Sequence, residues 1–463
     1  MSTPTVLTAP GLAREVRGPV LTSGDPGFAE ELAAFNPLAA RSPEIVVGAT
    51  CAADVVAAVR WAAERGMPVG VQATGHGWAA GSGGLLITTG RMQELDLDAG
   101  TGLLRVGAGV RWRSVLDAGA ASGWAAPCGS SSDVGVVGYT LGGGLPVLGR
   151  AFGFAADRVT AVEMVTASGD LRRVTADSDP ELFWAVRGGG GGLLGVVTAL
   201  EMTLPRLATF HGGGLFFPGE SAAEVLPVWA EWSRDLPDAM STSLALLRLP
   251  AMPGVPEPLA GRLVVHVRVA YAGDADRCEA LLAPLRALSV PTVLDTVGEH
   301  PYGDLDLVHM DPDQPVPFRD AGCLLAELPP AAVDRLVALA GPGSDSPLLA
   351  VELRRLGGAL SRTPAADLPF GGSVLNGRSA AYSLHAVGLG VPPVAALLPG
   401  ALTTLLDAVR SWADGTSLLN LHGRATDDAP LTGSRAPAAL ARLAAAKSTA
   451  DPTDLFRLGH PIG

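Results

Sequence analysis

A histidine stands between two glycines in the stretch VQATGHGWAAGSGG, which runs from Val71 to Gly84. The residues before it, MPVGVQA, have the pattern of a strand, so His76 would lie where that strand ends. Glycine on both sides lets the backbone approach a ligand closely. A histidine in an ordinary turn has the same local sequence, and the chain has only 8 histidines. The stretch therefore raises the question of what the His76 imidazole contacts.

Two further glycine motifs occur, VGVVGYTLGGGLPVLGRAFG from Val134 to Gly153 and a five-glycine run from Gly188 to Gly192. Such loops let backbone N–H groups point at an anion, and several of them indicate a large cofactor that carries phosphate. Each loop alone could equally be an ordinary turn. LGGGLPVLG does not fit the Rossmann pattern, and the absence of GxxxxGK[ST] excludes a P-loop.

The composition describes a folded chain and excludes two classes of partner. The length of 463 residues suggests about three domain-sized units. With 48% hydrophobic and 17% charged residues, the chain can bury a large core and is unlike a disordered protein. The net charge of -13 argues against nucleic acid, which needs a basic surface, and against an anionic membrane surface. We therefore expect neither as a partner.

The cysteines and the hydrophobic runs indicate a cytoplasmic protein. The 4 cysteines are far apart and form no CxxC pair, which favours a reduced protein and gives no metal-binding spacing. We find neither a secretory signal at the start nor an apolar run of about 18 residues that would span a membrane. Lys447 is the one lysine in the sequence and the other basic side chains apart from histidine are arginines, and Ala and Gly are abundant. This bias is typical of a GC-rich bacterial genome.

Strand and helix patterns alternate along the chain. The segment SPEIVVGATCAADVVAAVRWAAERGMPVGVQATGHG predicts a strand, a helix that stops at Gly66, and a second strand. The segment DRVTAVEMVTASGDLRRVTA predicts a β-hairpin around ASGD. From about Leu207, strands such as GRLVVHVRVAYAG alternate with amphipathic helices such as DADRCEALLAPLRAL. This order predicts an α+β chain whose second part is a sheet with helices packed on one face.

Four motifs in order, VQATGHG, SSDVGVVGYTLGGG, LFWAVRGGGGGLLGVVTAL and DPTDLFRLGHPI, together resemble FAD-linked oxidases of the berberine-bridge-enzyme-like group. This group belongs to the vanillyl-alcohol-oxidase/p-cresol-methylhydroxylase (VAO/PCMH) superfamily, and the match covers nearly the whole chain. The resemblance implies a two-lobed PCMH-type FAD-binding domain in residues 1–206. A substrate domain with an antiparallel sheet covered by helices on one face follows in 207–424, and a C-terminal segment, 425–463, returns to the FAD domain.

The resemblance also implies that a ring nitrogen of His76 is bonded to the 8α-methyl carbon of the flavin. Many family members carry a second bond from a cysteine at the position of Ser131, whereas Cys128 lies three residues upstream, so we expect a single covalent bond. Two departures concern the flavin surroundings: the five-glycine run is one residue longer than usual, and Gly459 replaces the usual asparagine before His460. The other positions that the resemblance assigns to FAD binding are Ala73, Thr74, Gly75, Gly77, Trp78, Ser131, Ser132, Gly138, Tyr139, Gly142, Gly144, Gly195, Val196 and Val197.

The family reaction implies a base that this chain does not have at the usual place. A hydride leaves a substrate carbon for flavin N5, a base takes a proton from a neighbouring hydroxyl or amine, and oxygen usually reoxidises the flavin. Relatives often use a tyrosine in a Y-x-N-Y pattern. Here the matching residues are SLLNLHG, in which Asn420 remains and Leu418 and Leu421 replace the tyrosines.

Glu352, Tyr382 and His385 are the candidate replacements for this base. Strand alternation puts Glu352 and Arg354 on one face, and puts Tyr382 on the face opposite His385, so Tyr382 and His385 cannot both face the flavin. Glu352 among apolar neighbours could have a raised pKa and act as the base. A salt bridge to an adjacent arginine is the alternative for Glu352, and a structural role is the alternative for His385. His309 is expected in a loop.

These observations predict an FAD-dependent oxidoreductase of a bacterial specialised metabolite, with a small, largely apolar substrate and molecular oxygen as acceptor. The missing tyrosine leaves two alternatives open. The flavoprotein could oxygenate or cyclise its substrate without ordinary dehydrogenation, or it could bind flavin and metabolite without turnover.

Overall fold

The computed structural model describes residues 9, 11–39, 41–77, 83–362, 372–424, 435–460 and 462. Its first sheet has four strands, and the order β1-β2-β4-β3 places β3 at one edge. Strands β2, β4 and β3 are parallel, and β1 adds antiparallel to β2. The strands are β1 Val20–Leu21, β2 Ile45–Gly48, β3 Val69–Gln72 and β4 Leu85–Thr88.

The second sheet is antiparallel and has the order β5-β6-β9-β7-β8. Its strands are β5 Leu95–Leu97, β6 Leu103–Gly107, β7 Val159–Val165, β8 Leu171–Val174 and β9 Val196–Thr203. Strands β7 and β8 are the two arms of the predicted hairpin, and they pair antiparallel around the ASGD turn. The hairpin prediction is confirmed.

The third sheet is also antiparallel, in the order β13-β10-β12-β11-β16-β17-β15, with β14 pairing beside β13 on β10. Its strands are β10 Thr209–Pro218, β11 Met240–Arg248, β12 Leu263–Tyr271, β13 Leu294–Asp295, β14 Gly298–Pro301, β15 Phe318–Leu325, β16 Ala350–Arg355 and β17 Tyr382–Leu389. The helices are α1 Leu12–Glu15, α2 Phe28–Glu31, α3 Ala52–Ala63, α4 Trp112–Ala120, α5 Val136–Leu141, α6 Gly149–Phe152, α7 Pro180–Val186, α8 Ala222–Trp232, α9 Ala275–Arg286, α10 Pro330–Ala340, α11 Leu398–Val409 and α12 Pro437–Ala450.

Helices α8 to α11 cover one face of the third sheet. Apolar helix residues such as Trp229, Leu336 and Leu402 are buried in one cluster with strand residues such as Val267 and Leu384. Since successive side chains of a strand point to opposite faces, the residues between these apolar positions face away from the helices. The α+β class and the sheet covered by helices on one face are confirmed.

The chain's end returns to its first part. Leu443 of α12, with Leu455 and Phe456 beyond it, belongs to the same hydrophobic cluster as the first two sheets. The Val69 N–H donates to the Leu455 carbonyl over 2.9 Å, and the Lys447 ammonium donates to the Leu193 carbonyl over 2.9 Å. The domain bounds 1–206, 207–424 and 425–463 stay predictions.

One helical segment, Val394–Trp412, is long and apolar enough by length and composition to cross a membrane. In the fold it contains α11, whose Leu398, Leu402, Leu405 and Val409 are buried against the third sheet. Packing in the helix layer therefore explains these four apolar residues.

Candidate active site

The loop that follows β3 is held by the segment after α2. The Phe35 and Asn36 N–H groups donate to the Thr74 and Gly75 carbonyls over 2.9 and 3.1 Å. Gly75 has a φ of 70°, and a Cβ there would lie 2.5 Å from the Ala34 Cβ. Gly75 is therefore required by the protein's own packing, and its contact with a cofactor stays a prediction. The consequence is a fixed backbone at His76.

His76 presents one nitrogen that the protein does not use. Its Nδ1 forms a hydrogen bond of 2.8 Å with Thr74 Oγ1, and its ring stacks on Phe35 with centroids 3.9 Å apart. Its Nε2 is buried and has no hydrogen-bond partner among the described residues. Burial lowers the pKa of His76 to about 4, so the imidazole is neutral at pH 7. An orphaned, neutral, buried nitrogen is what an attached cofactor would satisfy.

The three glycine motifs meet at β3. A Cβ on Gly135, at the start of α5, would lie 3.5 Å from Thr74, and one on Gly192 would lie 3.5 Å from Val71. The fold thus brings the Gly188–Gly192 run and the loop before α5 to the strand that leads to His76. Backbone from three separate segments surrounds one place, as a large cofactor needs.

The glycines of these motifs separate into two groups. A Cβ on Gly77, Gly138 or Gly191 would meet no heavy atom within 4 Å. A Cβ on Gly142 would lie 1.6 Å from Asn420 Oδ1, and one on Gly144 would lie 2.4 Å from the Tyr139 ring. The first group borders open space and can face a cofactor. Gly142 and Gly144, which the sequence assigned to FAD binding, are needed by the protein's own packing.

Ser132 has a partner that the sequence did not indicate. Its N–H donates to Asp306 Oδ1 over 2.7 Å, and its hydroxyl donates to the other oxygen of the same carboxylate. Asp306 thus occupies both donors of Ser132 and also pairs with Arg113, and the assignment of Ser132 to the pyrophosphate path stays a prediction. The neighbouring Ser131 hydroxyl accepts from the Asp133 N–H over 3.3 Å.

Cys128 is fully buried, and its thiol lies 3.7 Å from the Ser131 carbonyl, to which it donates. Burial raises the pKa of the thiol well above its ordinary value, and the negative charge of Asp306 adds to the rise. Cys128 is thus a neutral thiol rather than a nucleophile.

Tyr139 lies in α5, with its ring edge-on to Trp112 at 5.6 Å. The hydroxyl is buried and has no hydrogen-bond partner among the described residues. Burial raises the pKa of this phenol well above its ordinary value, so it stays a neutral donor. Tyr139 is a second orphaned group of the kind a cofactor or substrate would satisfy.

The adenosine-side positions lie where β9 begins. Val196 and Val197 pair with Val165 and Met164 of β7, whereas the ladder to β6 starts only at Ala199. The backbone edge of β9 that points away from β7 is therefore outside the sheet ladder at Val196 and Val197. A Cβ on Gly195 would lie 2.6 Å from Met164 and from the Val165 carbonyl, so Gly195 serves strand packing. Ala73 and Thr74 are half-buried, and Trp78 lies outside the described residues.

The third sheet presents a polar face to the FAD-binding part of the chain. Cross-strand pairing puts Arg268, Ser243 and Arg354 in one row, and puts Glu352 opposite His385 in the next. These residues alternate with the helix-facing apolar ones. Charged and polar side chains are therefore buried between the sheet and the first part of the chain.

Glu352 is the centre of a buried ion-pair network. Its Oε1 accepts from Arg268 Nη1 over 2.7 Å, and its Oε2 accepts from Arg354 Nε over 2.9 Å. Burial alone would raise the pKa of Glu352, but the two guanidinium groups hold it well below its ordinary value. The prediction of Glu352 as a base with a raised pKa is wrong, and the salt-bridge alternative describes it, with Arg268 as an additional partner.

Tyr382 and His385 lie on opposite faces of β17, as alternation predicted. The Tyr382 hydroxyl is 3.1 Å from Ser233 Oγ, and Tyr382 is buried in the helix-side cluster. Tyr382 is therefore a structural residue, and we withdraw it as a candidate base. His385 is on the polar face, where its Nε2 lies 3.0 Å from Asp320 Oδ2.

Two cavities adjoin these residues. One lies between the loop Leu145–Gly149 and the polar face, where Ser243, Arg268, Arg354 and His309 line it. The other is mostly apolar and is bordered by Gly142–Gly144 and by the short helical turn Leu419–Leu421. Asn420 in this turn donates to the Tyr139 carbonyl over 2.8 Å.

The sequence analysis did not identify four residues of the first cavity as site residues. It placed His309 in a loop and considered Arg354 only as a salt-bridge partner of Glu352. The four residues are Ser243, Arg268, His309 and Arg354. The sequence did contain a signal for Arg268, because VVHVRVA interrupts an apolar strand with polar residues at alternate positions. Groups of three or more His, Cys, Asp or Glu that could hold a metal ion are absent from the described ranges.

Residues 43–175 match the model of the FAD binding domain. The chain is 28% identical over 313 residues to YvdP, an FAD-linked oxidoreductase of Bacillus subtilis, covering 66% of this chain and 67% of YvdP. It is 30% identical over 293 residues to (R)-6-hydroxynicotine oxidase of Paenarthrobacter nicotinovorans, covering 63% of this chain and 62% of that enzyme.

Solved structures share the fold over nearly the full length. The structure of 6-hydroxy-D-nicotine oxidase from Arthrobacter nicotinovorans superposes with a TM-score of 0.79 at 24% identity, covering 97% of this chain and 98% of that one. BBE-like 1 of Physcomitrella patens gives 0.82 at 20% identity, covering 98% of both chains. This chain therefore carries an FAD binding domain, is homologous to FAD-linked oxidoreductases, and shares the fold of the nicotine oxidase and BBE-like structures.

Proposed function

We propose that this protein is an FAD-dependent oxidase of a small molecule, with the flavin bonded to His76 and molecular oxygen as acceptor. The observation that carries the proposal is the His76 imidazole, which is neutral, fixed by Thr74 and Phe35, and unpartnered at Nε2. It lies where three glycine segments meet. When Nδ1–H donates to Thr74, the Nε2 lone pair is free to bond an electrophilic carbon.

Bound FAD would supply the two-electron chemistry, and the protein's side chains would position the substrate and move its proton. Gly77, Gly138 and Gly191 leave space for the cofactor. The Tyr139 hydroxyl offers a neutral donor beside the glycine motif. Among the three candidate bases, His385 is the one left for proton transfer, because Asp320 orients its Nε2 and leaves Nδ1 as the accepting nitrogen.

The substrate that we propose is a specialised metabolite of bacteria with an apolar body. The apolar cavity supports this class, since Phe154, Leu375, Leu418 and Leu421 line it. Among similar proteins, one is named for hydroxynicotine and others for oligosaccharides. An aliphatic lining favours a flat or apolar molecule over a sugar.

The test begins with the colour of the purified protein. After acid precipitation, wild-type protein should leave a yellow pellet, and His76→Ala should release its flavin into the supernatant. His300→Ala, which changes a histidine packed beside Phe210 on the edge strand β14, is the matched control and should keep the yellow pellet. A colourless wild-type pellet would contradict the covalent bond, and a protein without flavin would contradict the proposed function.

A second candidate function follows from Leu418 and Leu421, which place apolar side chains where the resemblance expects tyrosines. This protein could then oxygenate or cyclise its substrate, or bind it without turnover. Anaerobic addition of a substrate panel separates the candidates. An oxidase loses its yellow colour and recovers it in air with release of peroxide, whereas a cyclase or a binder keeps its colour.

A further inference from the structure

We propose that the cavity between the loop Leu145–Gly149 and the polar sheet face binds a carboxylate group of the ligand, with Arg354 as its main partner. The inference rests on the proposed function only in calling that ligand the substrate. It adds an anionic group to the apolar body proposed above. The first support is charge. Four arginines line the cavity, and none of the described residues that line it is acidic.

Three of the four arginines are fully used by protein groups, and one is available to a ligand. Arg150 donates to the Met240 carbonyl over 2.8 Å and to the carbonyls of Leu236 and Leu356. Arg355 donates to the Ser233 and Ala381 carbonyls. These bonds use Arg150 and Arg355 to hold backbone in place. Arg268 donates to His266, to Glu352 and to the His309 carbonyl, which leaves Arg354 to meet a ligand.

Arg268 and Arg354 share one carboxylate. Glu352 accepts from both guanidinium groups, and all three side chains are at most 12% exposed. Glu352 supplies one negative charge to two guanidinium groups, and Asp311 also acts electrostatically on Arg354. The buried lining of the cavity itself stays basic, which favours the entry of an anion.

Unused hydrogen-bonding groups point to the same occupant. Ser243 is 4% exposed, and its hydroxyl has no partner within the described part of the chain. His309 is 7% exposed, and its Nδ1 is likewise unpartnered there. The recorded bonds of Arg354 use Nε and Nη2 and leave Nη1. Buried polar groups are normally satisfied, so the unpartnered Ser243 hydroxyl and His309 Nδ1 beside one cavity indicate a polar ligand.

The geometry favours a carboxylate attached to an apolar body. Glu352 fixes the Arg354 guanidinium, so that its free edge is already oriented for a planar anion. On the opposite wall, Leu145, Val147 and Leu360 offer apolar surface. The loop that carries Leu145 follows directly after the glycines Gly142–Gly144, which line the apolar cavity, so an anion held by Arg354 would direct its body toward that cavity.

Isothermal titration calorimetry on the protein as purified tests the inference without relying on turnover. The probes are phenylacetate, indole-3-acetate and octanoate, each with its neutral amide. We expect wild-type protein to bind at least one carboxylate and to bind its amide more weakly. Arg354→Gln should weaken carboxylate binding by about 10- to 100-fold, the effect of losing a charged hydrogen bond. Arg335→Gln, an exposed arginine on α10, should leave binding unchanged.

Ser243→Ala is the second variant, because Arg354→Gln changes a buried ion pair and could unfold the chain. This variant should weaken binding of the same carboxylate and leave the melting temperature of the protein unchanged. Equal binding of acid and amide, binding of none of the three acids, or equal affinity in Arg354→Gln and wild type would overturn the proposal. A colourless protein that still selects the acid would overturn the oxidase function and keep the anion site.

Discussion

Two titratable side chains, His76 and Glu352, show how the surroundings of a residue set its charge and its role. Burial dominates at His76 and keeps it neutral, whereas ion pairing dominates at Glu352 and keeps it charged. A neutral imidazole can form a bond through a lone pair, and a carboxylate held by two guanidinium groups has its lone pairs occupied. We therefore propose that His76 forms the bond to the cofactor and that Glu352 has a structural and electrostatic role.

The pKa of Glu352 makes a stability prediction. Because it lies below the ordinary value of 4.5, the folded chain binds fewer protons than the unfolded chain as the pH falls below that value. The stabilisation by Glu352 is thus present at neutral pH and is lost under acid conditions. Glu352→Gln should cost about 3–5 kcal/mol at pH 7, the range for breaking a buried ion pair.

Denaturant unfolding at pH 7, 5, 4 and 3.5 measures this loss. The free energy of unfolding of wild-type protein should approach that of Glu352→Gln as the pH falls. The free energy of unfolding of Glu220→Gln, a change at an exposed position after β10, should differ from that of wild type by the same amount at every pH. A constant gap between wild type and Glu352→Gln would show that the carboxylate is not stabilised by its partners.

At the scale of elements, the loop after β3 offers a matched pair of glycines on either side of His76. Gly75 has a positive φ and lies against Ala34, whereas a Cβ on Gly77 meets open space. Gly75→Ala should lower the free energy of unfolding by about 1–3 kcal/mol, because an L-residue is strained there. Gly77→Ala should leave stability unchanged and reduce the flavin content, because its methyl group enters the cofactor space.

Thermal unfolding of flavin-free protein and flavin absorbance of the purified variants separate the two effects. Equal loss of stability in both variants would contradict the division of the glycines into packing and ligand-facing groups. If both variants keep their flavin, the loop after β3 does not contact the cofactor.

The sequence predicted elements and faces well, and long-range partners poorly. Alternation placed Glu352 with Arg354 and separated Tyr382 from His385, because the period of a strand depends on local geometry alone. The pairing of Glu352 with Arg268 spans 84 residues and depends on the order of strands in the sheet, which no local pattern contains. His309 was expected in a loop; it follows a helical turn and is buried because distant strands cover it.

The same limit applied to the cofactor motifs. The resemblance assigned the glycine segments to the cofactor, but side-chain neighbours from other elements decide how each glycine packs. Asn420 leaves no room for a Cβ at Gly142, and Ala34 leaves none at Gly75. Neither neighbour is near its glycine in sequence. Ser132 shows the same effect, since its partner Asp306 lies 174 residues further along the chain.

At the scale of the whole molecule, Arg150 joins the two parts of the chain that form the cavity. It lies on α6, is 3% exposed, and donates to carbonyls that follow α8 and to those of β11 and the loop after β16. Arg150→Met keeps the apolar stem and removes every donor, so three buried carbonyls lose their partner at about 1–3 kcal/mol each. The two parts should then unfold less cooperatively, since these bonds cross the boundary between them. Calorimetry should show a lower melting temperature with a broadened or split transition for Arg150→Met, and a wild-type profile for Arg172→Met on the exposed face of β8. A single sharp transition at the wild-type temperature would mean that apolar packing alone couples the two parts.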